Sequence, residues 1–160
     1  MNHIWSPWRM EYIESNKAEG CIFCSAQEKE DSAENLIAFR GEHAYIILNR
    51  YPYTSGHLMV VPLAHKANLE ELDPPTRAEM MELTTRCITV LRKVYNPQAF
   101  NIGANIGESA GAGVKEHVHM HIVPRWQGDT NFISILGETR VLPESLERTY
   151  QRLKREFLED

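Results

Sequence analysis

The sequence predicts an α+β fold: a five-stranded antiparallel sheet carrying one long central helix and a C-terminal helix. Three observations point there. Five strand patterns occur, and a single helical pattern stands between the third and fourth. The first strands are joined as a hairpin, and the helices are segregated from the hairpins, which argues against parallel βαβ units. The last strand pattern, His117-Val118-His119-Met120-His121-Ile122-Val123, alternates strictly with a two-residue period, the period of a strand and not of a helix.

The bulk numbers set the frame. A chain of 160 residues with 42% apolar and 24% charged residues is one domain's worth of soluble, globular protein. The predicted organisation is one domain over 1–160, with an N-terminal arm over 1–19, a core over 20–126 and a C-terminal extension with a helix over 127–160. The 17 basic and 22 acidic residues leave a net charge of −5, and no Lys/Arg cluster stands out. That excludes a binder of long nucleic acids, but a small nucleotide needs only a few local donors. No membrane-spanning apolar run and no signal peptide are visible, so a cytoplasmic protein is expected. Three cysteines fit a reducing compartment better than a disulfide framework.

In order, the arm carries Trp5, Trp8 and Tyr12 and is expected to pack on its own domain, with a lid or a dimer contact as the functional alternative. Cys21-Ile22-Phe23-Cys24 follows. Such a pair is half a zinc site or a redox motif, and the second use typically needs a preceding βαβ pattern that is absent. Residues 25–34 read as a short helical turn or loop. Strands are expected at Leu36–Phe39 and His43–Asn49 across a turn with Gly41, then at His57–Val61, stopped by Pro62.

Asp73 followed by Pro74 and Pro75 reads as a helix start. Met80, Leu83, Cys87, Ile88, Val90, Leu91 and Val94 continue at helical spacing until Asn96-Pro97 stops them. Met80 and Met81 are expected in the core rather than as ligands, and Cys87 as a buried apolar residue. A fourth strand is expected at Ala99–Asn105, then a glycine-rich loop from Ile106 to Gly113 that runs straight into the histidines. Pro124 is expected to end the histidine strand, having no N–H for the ladder. Glu144–Glu159 reads as a helix with Leu146, Tyr150, Leu153 and Phe157 on one face.

On a strand, His117, His119 and His121 share one face about 6.5–7 Å apart, leaving Val118, Met120 and Ile122 for the core. A row of imidazoles offers a nucleophilic nitrogen beside donors for phosphate oxygens, or ligands for a divalent metal. The glycine-rich loop lets the backbone approach a ligand and turn N–H groups toward phosphate; it lacks the Gly-Lys-Ser/Thr of a Walker loop.

The seven residues from His117 to Val123 resemble the signature of the histidine triad (HIT) superfamily of nucleotidyl hydrolases and transferases. Leu48-Asn49-Arg50-Tyr51-Pro52-Tyr53-Thr54-Ser55-Gly56-His57 followed by an apolar strand resembles a second stretch of that family. The likeness covers residues 20 to 126. It implies His119 as nucleophile, His121 and His57 as contacts to phosphate oxygens, and Asn49 as the ribose contact. It further implies Asn105, Ser109, Gly111 and Gly113 along the polyphosphate, a nucleoside 5′-monophosphate held covalently on His119, and a homodimer. Some relatives hold structural zinc at positions matching Cys21, Cys24, His65 and His117, and the resemblance implies no organic cofactor. Trp5, Arg9, Met10, Tyr12 and Ile13, with Pro124-Arg125-Trp126 and Asp129-Thr130-Asn131-Phe132, look like the bacterial diadenosine tetraphosphate phosphorylases of this superfamily. The signature does not choose between phosphate and water as acceptor. Two other readings compete: a zinc-dependent hydrolase using His117, His119 and His121 as metal ligands, and a non-catalytic nucleotide-binding or zinc-stabilised interaction module.

Overall fold

The computed structural model describes residues 20–130 and 142–159. The Trp5, Trp8, Tyr12 arm and the Asn131-Phe132 positions lie outside the described residues. Helix α1 (Ile22–Gln27) leads into β1 (Ile37–Arg40), β2 (Ala44–Leu48) and β3 (Leu58–Pro62); the long helix α2 (Pro74–Tyr95) precedes β4 (Ala99–Gly103) and β5 (Met120–Arg125), and α3 (Leu146–Glu159) closes the chain. The five strands form one sheet in the order β1-β2-β3-β5-β4, every pair antiparallel.

Helix α2 starts where the sequence places it. The Asp73 carboxylate accepts the Thr76 N–H at 2.8 Å, with proline in the first turn. It ends at Asn96, whose left-handed backbone (φ 46°) suits an asparagine C-cap. Met80, Leu83, Cys87, Val90 and Leu91 are buried in the core. Met81 is not, with 56% of its surface exposed, because it sits one residue round from the Met80 stripe and faces solvent. Burial drives the Cys87 thiol pKa up, so it is an inert core residue. Helix α3 buries Tyr150, Leu153 and Phe157 and packs in cis on β1 and α2.

Three expectations about strands are corrected. The fourth strand stops at Gly103 rather than Asn105. The histidine strand begins at Met120 rather than His117, because the preceding extended run bonds elsewhere: the Val118 N–H donates to the Lys66 carbonyl at 2.7 Å. It also runs through Pro124 to Arg125. The Pro124 carbonyl points to the β3 side, where the Thr54 hydroxyl donates to it at 2.9 Å. The missing N–H lies on that same side, past Leu58↔Ile122, the last β3–β5 pair, so no ladder bond is lost. None of the described helices is long and apolar enough to cross a membrane.

The sheet register sets one row across four strands. Ile47 stands opposite Met59, Met59 opposite His121, and His121 opposite Gly103. This row is the floor of the candidate site.

Candidate functional site

Each histidine of the row is fixed by a different partner, and the partners determine which ring nitrogen carries the proton. The Nε2–H of His117 donates to the Pro62 carbonyl at 2.8 Å, leaving Nδ1 as a lone pair. That nitrogen lies 3.3 Å from Cys21 Sγ and 3.6 Å from Cys24 Sγ. Cys24 Sγ lies 3.2 Å from His65 Nδ1. One donor atom from each of Cys21, Cys24, His65 and His117 falls within 4.8 Å of the others. A tetrahedron closed at usual Zn–S and Zn–N lengths spaces its corners about 3.3–3.8 Å apart, so the two thiols and two imidazoles fit zinc. The backbone carbonyl behind His117 is the kind of outer partner that orients a metal-binding imidazole.

His119 faces a different task. Its Nδ1–H donates to the His117 carbonyl at 2.9 Å, so Nε2 holds the lone pair. The ring is buried, and burial lowers its pKa, keeping it neutral and nucleophilic at neutral pH. Phe23 packs its ring 4.8 Å from that of His119 and 5.5 Å from that of His117. Phe23 is itself held by the buried Tyr45, whose hydroxyl donates to the Phe23 carbonyl at 2.9 Å.

His121 completes a relay. The Tyr53 N–H donates to His57 Nδ1 at 3.2 Å, which leaves the His57 proton on Nε2. His57 Nε2 lies 2.9 Å from His121 Nδ1, so His57 donates and His121 keeps its own proton on Nε2. Burial, with a smaller contribution from His119, pushes the His121 pKa down to about 4.

Two cavities adjoin the row of histidines. One, of about 690 Å³, is lined by Phe23, Ile47, Asn49, Met59, His119 and His121, with Asn105, Gly111 and Gly113 at its rim. The other, of about 960 Å³, includes Tyr53, Asn105, His121, Arg125, Trp126 and Arg148 in its lining. The structure thus brings Asn49, Asn105, Gly111, Gly113, His119 and His121 together around one cavity.

Two expected phosphate contacts sit elsewhere. His57 is 1% exposed with both ring nitrogens engaged by protein, so it stands behind His121 rather than in the cavity. Ser109 is on the exposed 3₁₀ turn Glu108–Ala110, outside the lining of either cavity. The glycine loop also spends donors on itself. Ala110 and Ala112 N–H groups donate to the Gly107 carbonyl, and Gly111 N–H to the Glu108 carbonyl. The three-histidine metal site does not form, because His117, His119 and His121 turn to Pro62 and the cysteines, to the His117 carbonyl and to His57, respectively. Sequence reasoning missed Phe23 and Tyr53. Phe23 was signalled only by being an aromatic inside the Cys-x-x-Cys, and Tyr53 acts through its backbone, for which no residue type is a signal.

The HIT domain profile matches residues 30–128. Over 166 residues the chain is 39% identical to the AP-4-A phosphorylase of Mycobacterium tuberculosis, covering 98% of this chain and 85% of that protein. It is 29% identical to the adenylylsulfatase HINT3 of Arabidopsis thaliana, over 90% of this chain and 68% of that one. Among solved structures, a zinc-bound histidine triad family protein from Mycobacterium smegmatis superposes with a TM-score of 0.70 at 25% identity, covering 88% of this chain and 94% of that one. A histidine triad nucleotide-binding protein from Sulfolobus tokodaii gives a TM-score of 0.69 at 29% identity, over 87% and 93%.

Proposed function

Because the chain belongs to the HIT domain family of nucleotide-processing enzymes, we propose that it cleaves dinucleoside polyphosphates through a nucleotidyl group carried on His119. The observation that carries this reading is the bond from His119 Nδ1–H to the His117 carbonyl, which leaves a neutral Nε2 for the cavity. In the first step Nε2 attacks the α-phosphorus, and a P–N bond forms as the P–O bond to the leaving phosphate breaks. His121 Nε2–H is the hydrogen-bond donor beside that oxygen and steadies its developing charge, and the leaving polyphosphate departs as its anion. In the second step an oxygen of the acceptor, phosphate or water, attacks the same phosphorus, a P–O bond forms as the P–N bond breaks, the P–N electrons return to His119, and any proton the acceptor carried passes to solvent. Asn49 holds the ribose hydroxyls; Asn105, Gly111 and Gly113 line the phosphates, and Ile47, Met59 and Phe23 give the cavity its apolar wall.

His57 acts in this reading as a positioning residue that fixes the His121 tautomer. Cys21, Cys24, His65 and His117 would hold zinc, which would supply structure and no chemistry and would tie α1 and the segment after β3 to the residue two places before His119. The protein works in the cytoplasm as a homodimer. The edge strand β4, exposed along most of its length, is the surface a second copy meets.

The test is a panel of dinucleoside polyphosphates, with diadenosine tetraphosphate first, incubated with and without phosphate. ATP plus ADP formed only with phosphate identifies a phosphorylase; ATP plus AMP in its absence identifies a hydrolase. Quenched mixtures should show a nucleotidyl adduct on His119, and His119→Ala should bind nucleotide without turnover. A wild-type protein that binds nucleotides and never consumes them is a binding module, and the reading fails.

A further inference from the structure

We propose that Asn49 is a positioning residue as well as part of the cavity wall: its amide fixes the proton on His57 and, through His57, turns an N–H of His121 toward the substrate. The consequence for turnover rests on the nucleotidyl-transfer reading above; the placement of the protons does not.

The sheet register brings the three side chains together. Leu48 stands opposite Leu58 at the end of the β2–β3 ladder. The Asn49 N–H then donates to the His57 carbonyl at 3.0 Å, which carries the ladder one pair further. Asn49 and His57 are therefore cross-strand neighbours, on the same side as Ile47 and Met59. Met59 is opposite His121, so His57, two residues before it, is diagonal to His121. The side chains meet accordingly. Asn49 Nδ2 lies 3.3 Å from His57 Nδ1, and His57 Nε2 lies 2.9 Å from His121 Nδ1.

The direction of the chain is set by main-chain groups that can only donate. The Tyr51 N–H donates to Asn49 Oδ1 at 2.9 Å. That contact identifies the oxygen end of the amide, so the end facing His57 is the NH₂. The Tyr53 N–H reaches the same His57 nitrogen at 3.2 Å. Both donors require a lone pair on Nδ1, which places the His57 proton on Nε2 and the His121 proton on its own Nε2. The opposite tautomer of His57 would set an N–H against two donors at once, where without Asn49 it would meet one. His57 is 1% exposed, so bulk water does not compete for these bonds. Asn49 also lines the smaller cavity. One amide thus faces the nucleotide on one side and holds the histidine relay on the other.

Two measurements test this. The first reads the protons directly, from nitrogen NMR shifts of the imidazoles at neutral pH. Wild-type protein should show His57 and His121 each protonated on Nε2 and bare on Nδ1. Asn49→Asp keeps an acceptor for the Tyr51 N–H but sets a carboxylate oxygen against His57 Nδ1. It should draw a proton onto that nitrogen, as the other neutral tautomer or as an imidazolium. A His57 Nδ1 that stays bare in Asn49→Asp overturns the proposal. The second measurement compares two substrates that share the adenosine 5′-monophosphate group: diadenosine tetraphosphate and the p-nitrophenyl ester of adenosine 5′-monophosphate. A lost nucleotide contact weakens both alike. A lost His121 donor falls harder on the tetraphosphate, whose leaving charge stays on phosphate oxygen. Asn49→Leu should lower the ratio of kcat, tetraphosphate over ester, about fivefold. In a His57→Leu background the same substitution should leave the ratio unchanged, because the path through His57 is already cut. An unchanged ratio in the wild-type background, or an equal fall in both backgrounds, overturns the proposal. Wild-type protein that cleaves neither compound overturns the nucleotidyl-transfer reading instead, and the NMR comparison still decides the proton placement.

Discussion

His57 Nε2 and His121 Nδ1 stand 2.9 Å apart, and the backbone N–H of Tyr53, with the Asn49 side-chain amide 3.3 Å from the same His57 Nδ1, sets the direction of that bond from behind. A buried imidazole thus relays a main-chain donor into the orientation of a second imidazole at the cavity. Removing the relay leaves His121 free to hold its proton on either nitrogen. His57→Leu should lower kcat on diadenosine tetraphosphate about 10- to 100-fold with little change in KM, as a misdirected hydrogen-bond donor to the leaving oxygen does. The p-nitrophenyl ester of adenosine 5′-monophosphate, whose leaving charge is delocalised into the nitro group and leans less on a local donor, should lose less. Equal losses on both substrates would show that His57 serves the fold alone.

The depressed pKa of His121 makes stability depend on pH with a definite sign. The folded ring titrates at about 4, whereas an unfolded histidine titrates at about 6.5. Between these values the unfolded chain binds the proton that the folded chain refuses. The contribution is fully present above pH ~6.5 and is lost as pH falls through ~4, to a total of about 3 kcal/mol. Urea unfolding between pH 7 and 4.5 should show the wild type losing stability faster than His121→Gln. Parallel curves for the two proteins would contradict the assignment.

Zinc removal should act at a distance. Cys24→Ser takes one ligand from a site that also includes His117, two residues before the nucleophile. Elemental analysis should find about one zinc per wild-type chain and none in the variant. A loss of about 3 kcal/mol would lower Tm by roughly 6–12 °C in a domain of this size. Amide exchange should quicken at Val118, whose N–H is bonded to the Lys66 carbonyl beside His65. Metal-free protein with unchanged Tm and exchange would remove zinc from the account.

The fold was legible because periodicity and caps agree. Asp73, the proline pair and Asn96 bracket α2 by local chemistry alone, and the alternating histidines mark a strand face. Strand limits were less legible because they depend on partners. Val118 bonds to Lys66 and not to a strand, and Pro124 is tolerated only because β3 has already ended beside it. The site was legible as a set of residue types, and six of the expected cavity residues do line one cavity. Depth was not: His57 and His119 look alike in sequence, yet one is held behind the other's neighbour by a backbone donor. The larger cavity was invisible for the same reason, since it is built from β4, β5 and the start of α3, which meet only after folding.

Gly56 tests how far the loop before β3 fixes the relay. Its φ is +82°, in the left-handed region, and a Cβ there would lie 2.9 Å from a Leu91 methyl and 3.3 Å from the Tyr95 ring. Leu91 is fully buried in α2, so it has little room to retreat. Gly56→Ala therefore adds backbone strain to overpacking, and should cost about 2–4 kcal/mol of stability. Because residue 56 adjoins His57, part of the clash can be relieved by shifting the loop that carries the Tyr53 N–H. Activity at temperatures where the variant is folded should then fall in kcat, in the same substrate-dependent way as for His57→Leu. A variant as stable as the wild type would show that the loop accommodates the methyl group. One that is destabilised but fully active would show that the His57 position is set by β3 alone.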